Sequence, residues 1–314
     1  MTIVFVHPHR ALLPEIEAYT DFFTTRGLKT LVCHPARLHE KEADVEWHFM
    51  GLATRRHPGR VVIHEYASAS VPPLAGWKDL LKKWLAATPD FRIFNNQYVQ
   101  SRFAFRDGIP QGIRDYGIPR DLPLQGHSAG SRAYDFVYAG SVEKKRNLEP
   151  LFACFTHGSL KGRSLLVLSR DYHRLSDRLK KYPNISFQGP LLGREYFQNL
   201  CLARYAINYI PDRLPFREQT SAKMIDYGAC RIPVISTDYG WARGFQQQYG
   251  GKYCFVKGDL SDLNWERVSG FEYGYPDTSQ WIWENQIRRS GVLDMLESKF
   301  KGLHLRQEPP PGAS

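Results

Sequence analysis

The sequence predicts an α/β protein built from two Rossmann-like domains with parallel sheets that face a central cleft. Three observations predict it. Short apolar strands alternate with amphipathic helices along most of the chain, a pattern that places a parallel sheet under helices on both faces. Pro and Gly cluster between Gly108 and Gly130, and the same alternation restarts beyond them. Such a cluster marks a domain boundary. Finally, 314 residues suffice for two ordinary domains.

In order, Ile3 to Val6 reads as a first buried strand, and Leu12 to Arg26 as an amphipathic helix closed by Gly27. Lys29 to Cys33 and Arg60 to His64 are further strands. Trp77 to Ala87 carries apolar residues at helical spacing (Trp77, Leu80, Leu81, Trp84, Leu85), and Phe91 to Asn95 is a strand. After the boundary, strands are predicted over 134–139, 164–168, 185–188, 205–210 and 232–236. Helices are predicted over 147–156, 171–181, 193–202 and 279–300. The organisation that follows is an N-terminal domain over 1–125, a second domain over 126–282, a C-terminal helix over 283–303, and a disordered tail over 304–314 that ends QEPPPGAS.

Hydrophobic residues make up 42% of the chain, enough for real cores, and the net charge is +10. A basic surface suits anionic partners such as nucleotide diphosphates, phosphorylated glycans or acidic lipid headgroups. The cations are interspersed with acids and form no stripe, which argues against nucleic acid. Five cysteines are scattered without a Cys-x-x-Cys pair. That pattern points to reduced core thiols in the cytoplasm and away from zinc. No apolar run reaches the length of a membrane span, and the first strand is too short and wrongly flanked for a signal peptide.

The most informative stretch is Pro215 to Asp238. A loop carrying Glu218 enters a short helix through Gln219, Thr220, Ser221 and Ala222, and an apolar strand follows. Small polar residues at a helix entry expose backbone N–H groups that can cradle a phosphate. Glu218 and Asp226 lie eight positions apart with Lys223 between them. A carboxylate in the helix can take ribose hydroxyls, and one in the loop can take a sugar hydroxyl. These are the parts of a nucleotide-sugar site.

The stretch resembles the donor-binding motif of group 1 retaining glycosyltransferases, which have the glycosyltransferase B fold. Their pattern is Glu-x7-Glu followed by a small residue, Gly-x-Pro-Val and a buried strand. Here it reads Glu218-x7-Asp226, with Gly228 set apart from Ile232-Pro233-Val234-Ile235. Ser221-Ala222-Lys223 is similar to the small-Lys pattern of a second branch. The resemblance spans about Tyr134 to Asp238. It implies a hexosyltransferase that moves a sugar from a nucleotide-sugar donor, with retention, to a glycan or lipid-linked acceptor. It also implies work on a bacterial surface polysaccharide such as lipopolysaccharide, at the cytoplasmic face of the membrane. The basic surface suits peripheral membrane attachment. Glu218 would orient the donor sugar. No Asp-x-Asp pair ends a strand, so no metal is expected, and no cofactor beyond the donor as cosubstrate.

Functional residues in such sheets sit just after strands. After the first strand of the second domain come Gly140 and Ser141, then Lys144 to Arg146. A Gly-Ser turn allows close backbone approach, and the cations can neutralise a diphosphate or simply solvate a helix start. Arg170, at the next strand end, is the first choice of diphosphate cation and Lys223 the second. The loop Gly189 to Gly193 borders the nucleobase in the family, and it also reads as a plain connection.

In the N-terminal half, His64 sits where retaining members place a histidine against the donor sugar, with Glu65 beside it as an acceptor-side base or anchor. His7, His9 and Arg10 form a basic loop after strand one, suited to acceptor or phosphate contact. Asn95 suits sugar hydroxyls. The aromatic run Phe271 to Trp283 reads as a packing hinge. Two other classes are weighed. A non-catalytic nucleotide- or glycan-binding protein of this fold fits the altered motif. A dinucleotide oxidoreductase does not, because His7-Pro8-His9-Arg10 stands where a Gly-x-Gly-x-x-Gly turn is required.

Overall fold

The structure, a computed structural model, describes residues 1–8, 13–49, 53–69, 77, 84–122 and 132–307. The chain divides into two compact units. One comprises Met1–Gly117 with Trp281–Ser314, and the other Ile118–Gln280.

The first unit holds six parallel strands: β1 (Thr2–Val6), β2 (Lys29–Cys33), β3 (Val45–Phe49), β4 (Val61–Tyr66), β5 (Phe91–Phe94) and β6 (Gln111–Ile113). Their order is β2-β1-β3-β4-β5-β6. Side chains alternate across a strand. In β3 this sends Val45, Trp47 and Phe49 into a core with Ile3, Phe5, Tyr19 and Ile63, while Glu46 and His48 take the other face. Glu46 is fully buried there, and Arg60 Nη1 (2.8 Å), His57 Nδ1 (2.7 Å) and His48 Nε2 (3.2 Å) meet its carboxylate. β4 runs two residues beyond the predicted strand end, so His64 and Glu65 lie inside it.

The segment predicted as one helix over 279–300 is two, Trp283–Arg289 and Val292–Lys299, interrupted at Gly291 with φ +74°. Ile287, Val292, Leu293 and Leu296 join the core of the first sheet. Gly112 of β6 passes so close to this turn that a Cβ there would lie 1.7 Å from the Ser290 carbonyl oxygen. Gly112→Ala is therefore expected to destabilise the unit by at least about 1–3 kcal/mol, read as a fall in its thermal midpoint. An unchanged midpoint would contradict this packing.

The second unit holds β7 (Tyr134–Ala139), β8 (Leu165–Leu168), β9 (Ile185–Gln188), β10 (Ala203–Asn208), β11 (Val234–Thr237) and β12 (Cys254–Val256). Every pairing is parallel, and the order is β12-β11-β10-β7-β8-β9. The chain moves outward from β7 to β9, then returns to the far side of β7 as β10. This is the doubly wound order. It puts the switch point at the carboxyl ends of β7 and β10, where such sheets bind ligands.

The predicted helix Trp77 to Ala87, the 125/126 boundary and the end of the tail fall wholly or largely outside the described residues. Among the described residues, no helix is long and apolar enough to cross a membrane.

Candidate functional site

Two loops meet at this switch point, one after β7 and one after β10. The first turns at Gly140, whose φ of +139° favours glycine. It continues through Ser141 into a 3-10 turn over Lys144–Arg146. The second runs from Tyr209 through Glu218 into the helix Ala222–Ala229. Tyr227 on that helix ties the two strand ends together. Its hydroxyl accepts from the Ala139 N–H at 2.8 Å and lies 3.4 Å from the Ile207 carbonyl.

Lys223 points back from the helix to the first loop. Its Nζ lies 3.5 Å from the Tyr209 carbonyl oxygen and 4.5 Å from the centroid of the Tyr138 ring. A Cβ on Gly140 would sit 3.5 Å from this same ammonium, so the lysine and the glycine turn face one another. Arg146 stacks its guanidinium on Phe216, 4.3 Å from the ring centroid. Burial and then the charge of Arg146 hold the Lys223 amine well below the usual lysine range. Both causes disfavour the charged amine, and an anion beside it would oppose them.

The helix entry adds donors. Ser221 occupies the N-cap position, yet its side chain caps no N–H. Its hydroxyl donates instead to Asn208 Oδ1 at 2.8 Å. Asn208 Nδ2 donates in turn to Ser236 Oγ (2.9 Å) and Tyr239 OH (3.2 Å). This buried network fastens the entry to β10 and β11 and leaves first-turn amides to a ligand. The arrangement suits a pyrophosphate: a glycine turn, two cations and a helix N-terminus.

The structure therefore brings Gly140, Ser141, Gln219, Thr220, Ser221 and Lys223 onto two adjoining loops. Arg170 lies two residues beyond β8, with its side chain 39% exposed and paired to Asp171 at 3.1 Å. The cation whose charge acts on Lys223 is Arg146. Asp226 is only 2% exposed and accepts from Tyr196 OH at 2.9 Å. It lies under the surface and presents no open carboxylate for ribose. Glu218 is half-exposed beside Arg217.

Glu65 does not end a strand. It is 1% exposed and accepts from Trp47 Nε1 (2.7 Å), Tyr19 OH (3.1 Å) and the Arg114 guanidinium. Three donors occupy it, so an acceptor-side base is corrected to a core anchor. His64 is fully buried in the same strand. Burial, then the charges of His48 and Arg92, pull its pKa down to about 3, so it stays neutral at ordinary pH. His7 is buried with its ring edge-on to Phe49. His9 and Arg10 lie outside the described residues. Asn95 is partly buried just past β5, while its neighbour Asn96 caps the next helix through Val99 N–H at 2.9 Å.

Tyr138, Phe216 and Asn208 are neighbours of the two loops that no sequence signal singled out. Arg146 belongs to the basic run 144–146, which reads equally as a diphosphate contact or a solvated helix start. Among the described residues, no group of three or more His, Cys, Asp or Glu side chains is placed to hold a metal.

No family model matches the chain, and no curated protein matches it in sequence. Solved structures do match in fold. The chain is similar to sucrose-phosphate synthase from Thermosynechococcus elongatus, with a TM-score of 0.63 at 12% identity over 95% of this chain and 100% of that one. It is similar to Anabaena Alr3699/HepE in complex with UDP and glucose, at 0.60 and 12% over 95% and 100%. It is also similar to a Methanocaldococcus jannaschii UDP-GlcNAc 2-epimerase in complex with UDP-GlcNAc and UDP, at 0.55 and 10% over 94% and 100%. At these identities the likeness is one of fold. The chain has the two-domain α/β glycosyltransferase B fold.

Proposed function

We propose that the protein transfers a sugar from a nucleotide-sugar donor to a glycan or lipid-linked acceptor. The observation that carries this reading is Lys223 and Arg146 beside the Gly140 turn, with the uncapped helix entry at the same switch point. The bond from the anomeric carbon to the phosphate oxygen breaks, and the nucleoside diphosphate leaves with the electron pair. Lys223, Arg146 and the helix amides take up the charge that develops, a task a metal would otherwise share. The acceptor oxygen bonds to the anomeric carbon and its proton passes to the leaving phosphate on the same face, which retains configuration. Glu218 orients the donor sugar. The net charge of +10 supports attachment to an anionic membrane face during synthesis of a surface polysaccharide. Structural neighbours solved with UDP, UDP and glucose, or UDP-GlcNAc support the donor class.

Incubation with nucleotide sugars and an acceptor extract should release nucleoside diphosphate. Glu218→Ala should lower that rate at least about a hundredfold with an unchanged thermal midpoint. Full activity in the variant would sink the assignment. A second reading, a non-catalytic nucleotide- or glycan-binding protein, is favoured by the burial of Asp226 where the family motif has an open carboxylate. Nucleotide binding without any transfer would decide for it.

A further inference from the structure

Two cysteines of the second unit end neighbouring helices. Cys201 follows the helix Gly193–Leu200 and donates its N–H to the Phe197 carbonyl at 3.2 Å. Cys230 follows the helix Ala222–Ala229 and donates its N–H to the Asp226 carbonyl at 2.9 Å. About one turn earlier the two helices are joined side by side, where Tyr196 OH donates to Asp226 Oδ2 at 2.9 Å. Just beyond the cysteines the chain enters β10 and β11, which pair as adjacent parallel strands. The two helix ends are thus held in line from both sides, and the free thiols share a hydrogen bond.

The pair is not symmetric. Arg132 Nη1 donates to the Ala203 carbonyl at 2.6 Å, close by Cys201 in the chain. The hydrogen bond from Cys230 outweighs burial and, with the charge of Arg132, holds the Cys201 thiol below the usual thiol range. The same hydrogen bond and then burial push the Cys230 thiol up. The thiolate is the attacking form of a cysteine, so Cys201 reacts first and Cys230 resolves. Cys201 is 3% exposed and Cys230 7%, so the oxidant must be as small as a peroxide.

We propose that Cys201 and Cys230 form a redox clip, which hydrogen peroxide closes as a disulfide between the ends of the two helices. In the first step the Cys201 thiolate attacks one peroxide oxygen. The O–O bond breaks, hydroxide leaves, and Cys201 becomes a sulfenic acid. In the second step the Cys230 sulfur attacks the Cys201 sulfur. The S–O bond breaks, and hydroxide leaves with the Cys230 proton as water. The hydroxide of the first step takes the proton that Cys201 lost. Two thiols are oxidised to one disulfide, and one peroxide is reduced to two waters. A thiol reductant reverses the change. The covalent ring so closed runs from Cys201 to Cys230 and contains the whole loop 209–221 with Lys223. The clip therefore restrains one of the two loops of the candidate donor site. The disulfide itself does not rest on the nucleotide-sugar reading.

The test treats the full chain with hydrogen peroxide, blocks the remaining thiols by alkylation, and maps the tryptic peptides by mass. Peptides 195–204 and 224–231, which carry the two cysteines, should appear joined and should separate on reduction. The oxidised chain should melt at least about 4 °C above the reduced one, because a closed ring of about 30 residues removes freedom from the unfolded chain. Amide exchange over 209–229 should slow in the oxidised form. In Cys230→Ser, dimedone should trap a sulfenic acid at Cys201, and Cys201→Ser should give neither the trap nor the joined peptides. Thiols that stay free, Cys201 carried to a sulfinic acid without a bond, or a bond to Cys33, Cys154 or Cys254 instead would overturn the proposal. So would a joined form with unchanged midpoint and exchange, or a sulfenic acid trapped at Cys230 in Cys201→Ser. The peptide map of the wild-type chain decides the pairing even where a variant does not fold. No nucleotide enters these measurements, so a failure of the nucleotide-sugar reading leaves them intact.

Discussion

Arg114→Met is expected to destabilise the first unit by about 3–5 kcal/mol, the range found when one partner of a buried ion pair is removed. Arg114 is 1% exposed. It pairs with Glu65, lies 3.5 Å from Glu15 Oε1, and donates to the Asp115 carbonyl at 3.0 Å. The Trp283 ring lies 5.2 Å from its guanidinium. Methionine leaves two buried carboxylates facing each other without their cation.

The sign of the pH dependence follows. Burial holds the Glu15 carboxyl above its usual range, against the opposing pull of Arg114. A raised folded pKa gives stability that is present below the unfolded value and lost as pH rises through the folded one. Without Arg114 the carboxyl rises further. The deficit of the variant should therefore grow from acid to neutral pH. Thermal unfolding across that range checks it. The double change Glu65→Leu/Arg114→Leu should recover part of the loss, since an apolar pair leaves no lone charge. A single variant within about 1 kcal/mol of wild type at neutral pH would contradict the anchor.

Lys223→Met is expected to weaken nucleoside diphosphate binding by about tenfold to a hundredfold, as the loss of one hydrogen bond to a charged group implies. The amine is held below the usual lysine range by burial and by Arg146, so a diphosphate should draw a proton onto it. Binding then takes up protons, and affinity rises as pH falls through the pKa of the free protein. In the ligand-free protein the sign for stability is the reverse. The unfolded lysine binds more protons, so stability rises with pH from the folded pKa towards about 10.4. Titrations in buffers of different ionisation enthalpy measure the uptake. Wild-type affinity in the variant, or binding with no proton uptake, would contradict the role given to Lys223.

Much of this was legible in the residues, because strand ends and glycines leave local marks. Gly140 and the Ser221–Lys223 entry follow apolar runs that could only be strands, and both reach the switch point. What escaped depended on partners distant in the chain. β3 reads as an unremarkable VEWHF, since its Glu46 looks solvated until Arg60 and His57 are seen to close over it. β6 is three residues long and sits inside the Pro and Gly cluster taken for a boundary. Glu65 looked like the end of a strand, but β4 continues to Tyr66, and the guanidinium that buries the carboxylate comes from 49 positions away. Arg146 was ambiguous because a basic run at a helix start reads equally well as solvated. Only Phe216 and Lys223, from the other loop, give it a place.

If the loops after β7 and β10 hold a nucleoside diphosphate, their backbone amides should be shielded by it. Hydrogen exchange with UDP, GDP, dTDP and NAD each added to the full chain reads this. Exchange should slow with one nucleoside diphosphate, centred on residues 139–147 and 209–224. Slowing with NAD alone, slowing confined to other segments, or no change with any of the four would contradict it.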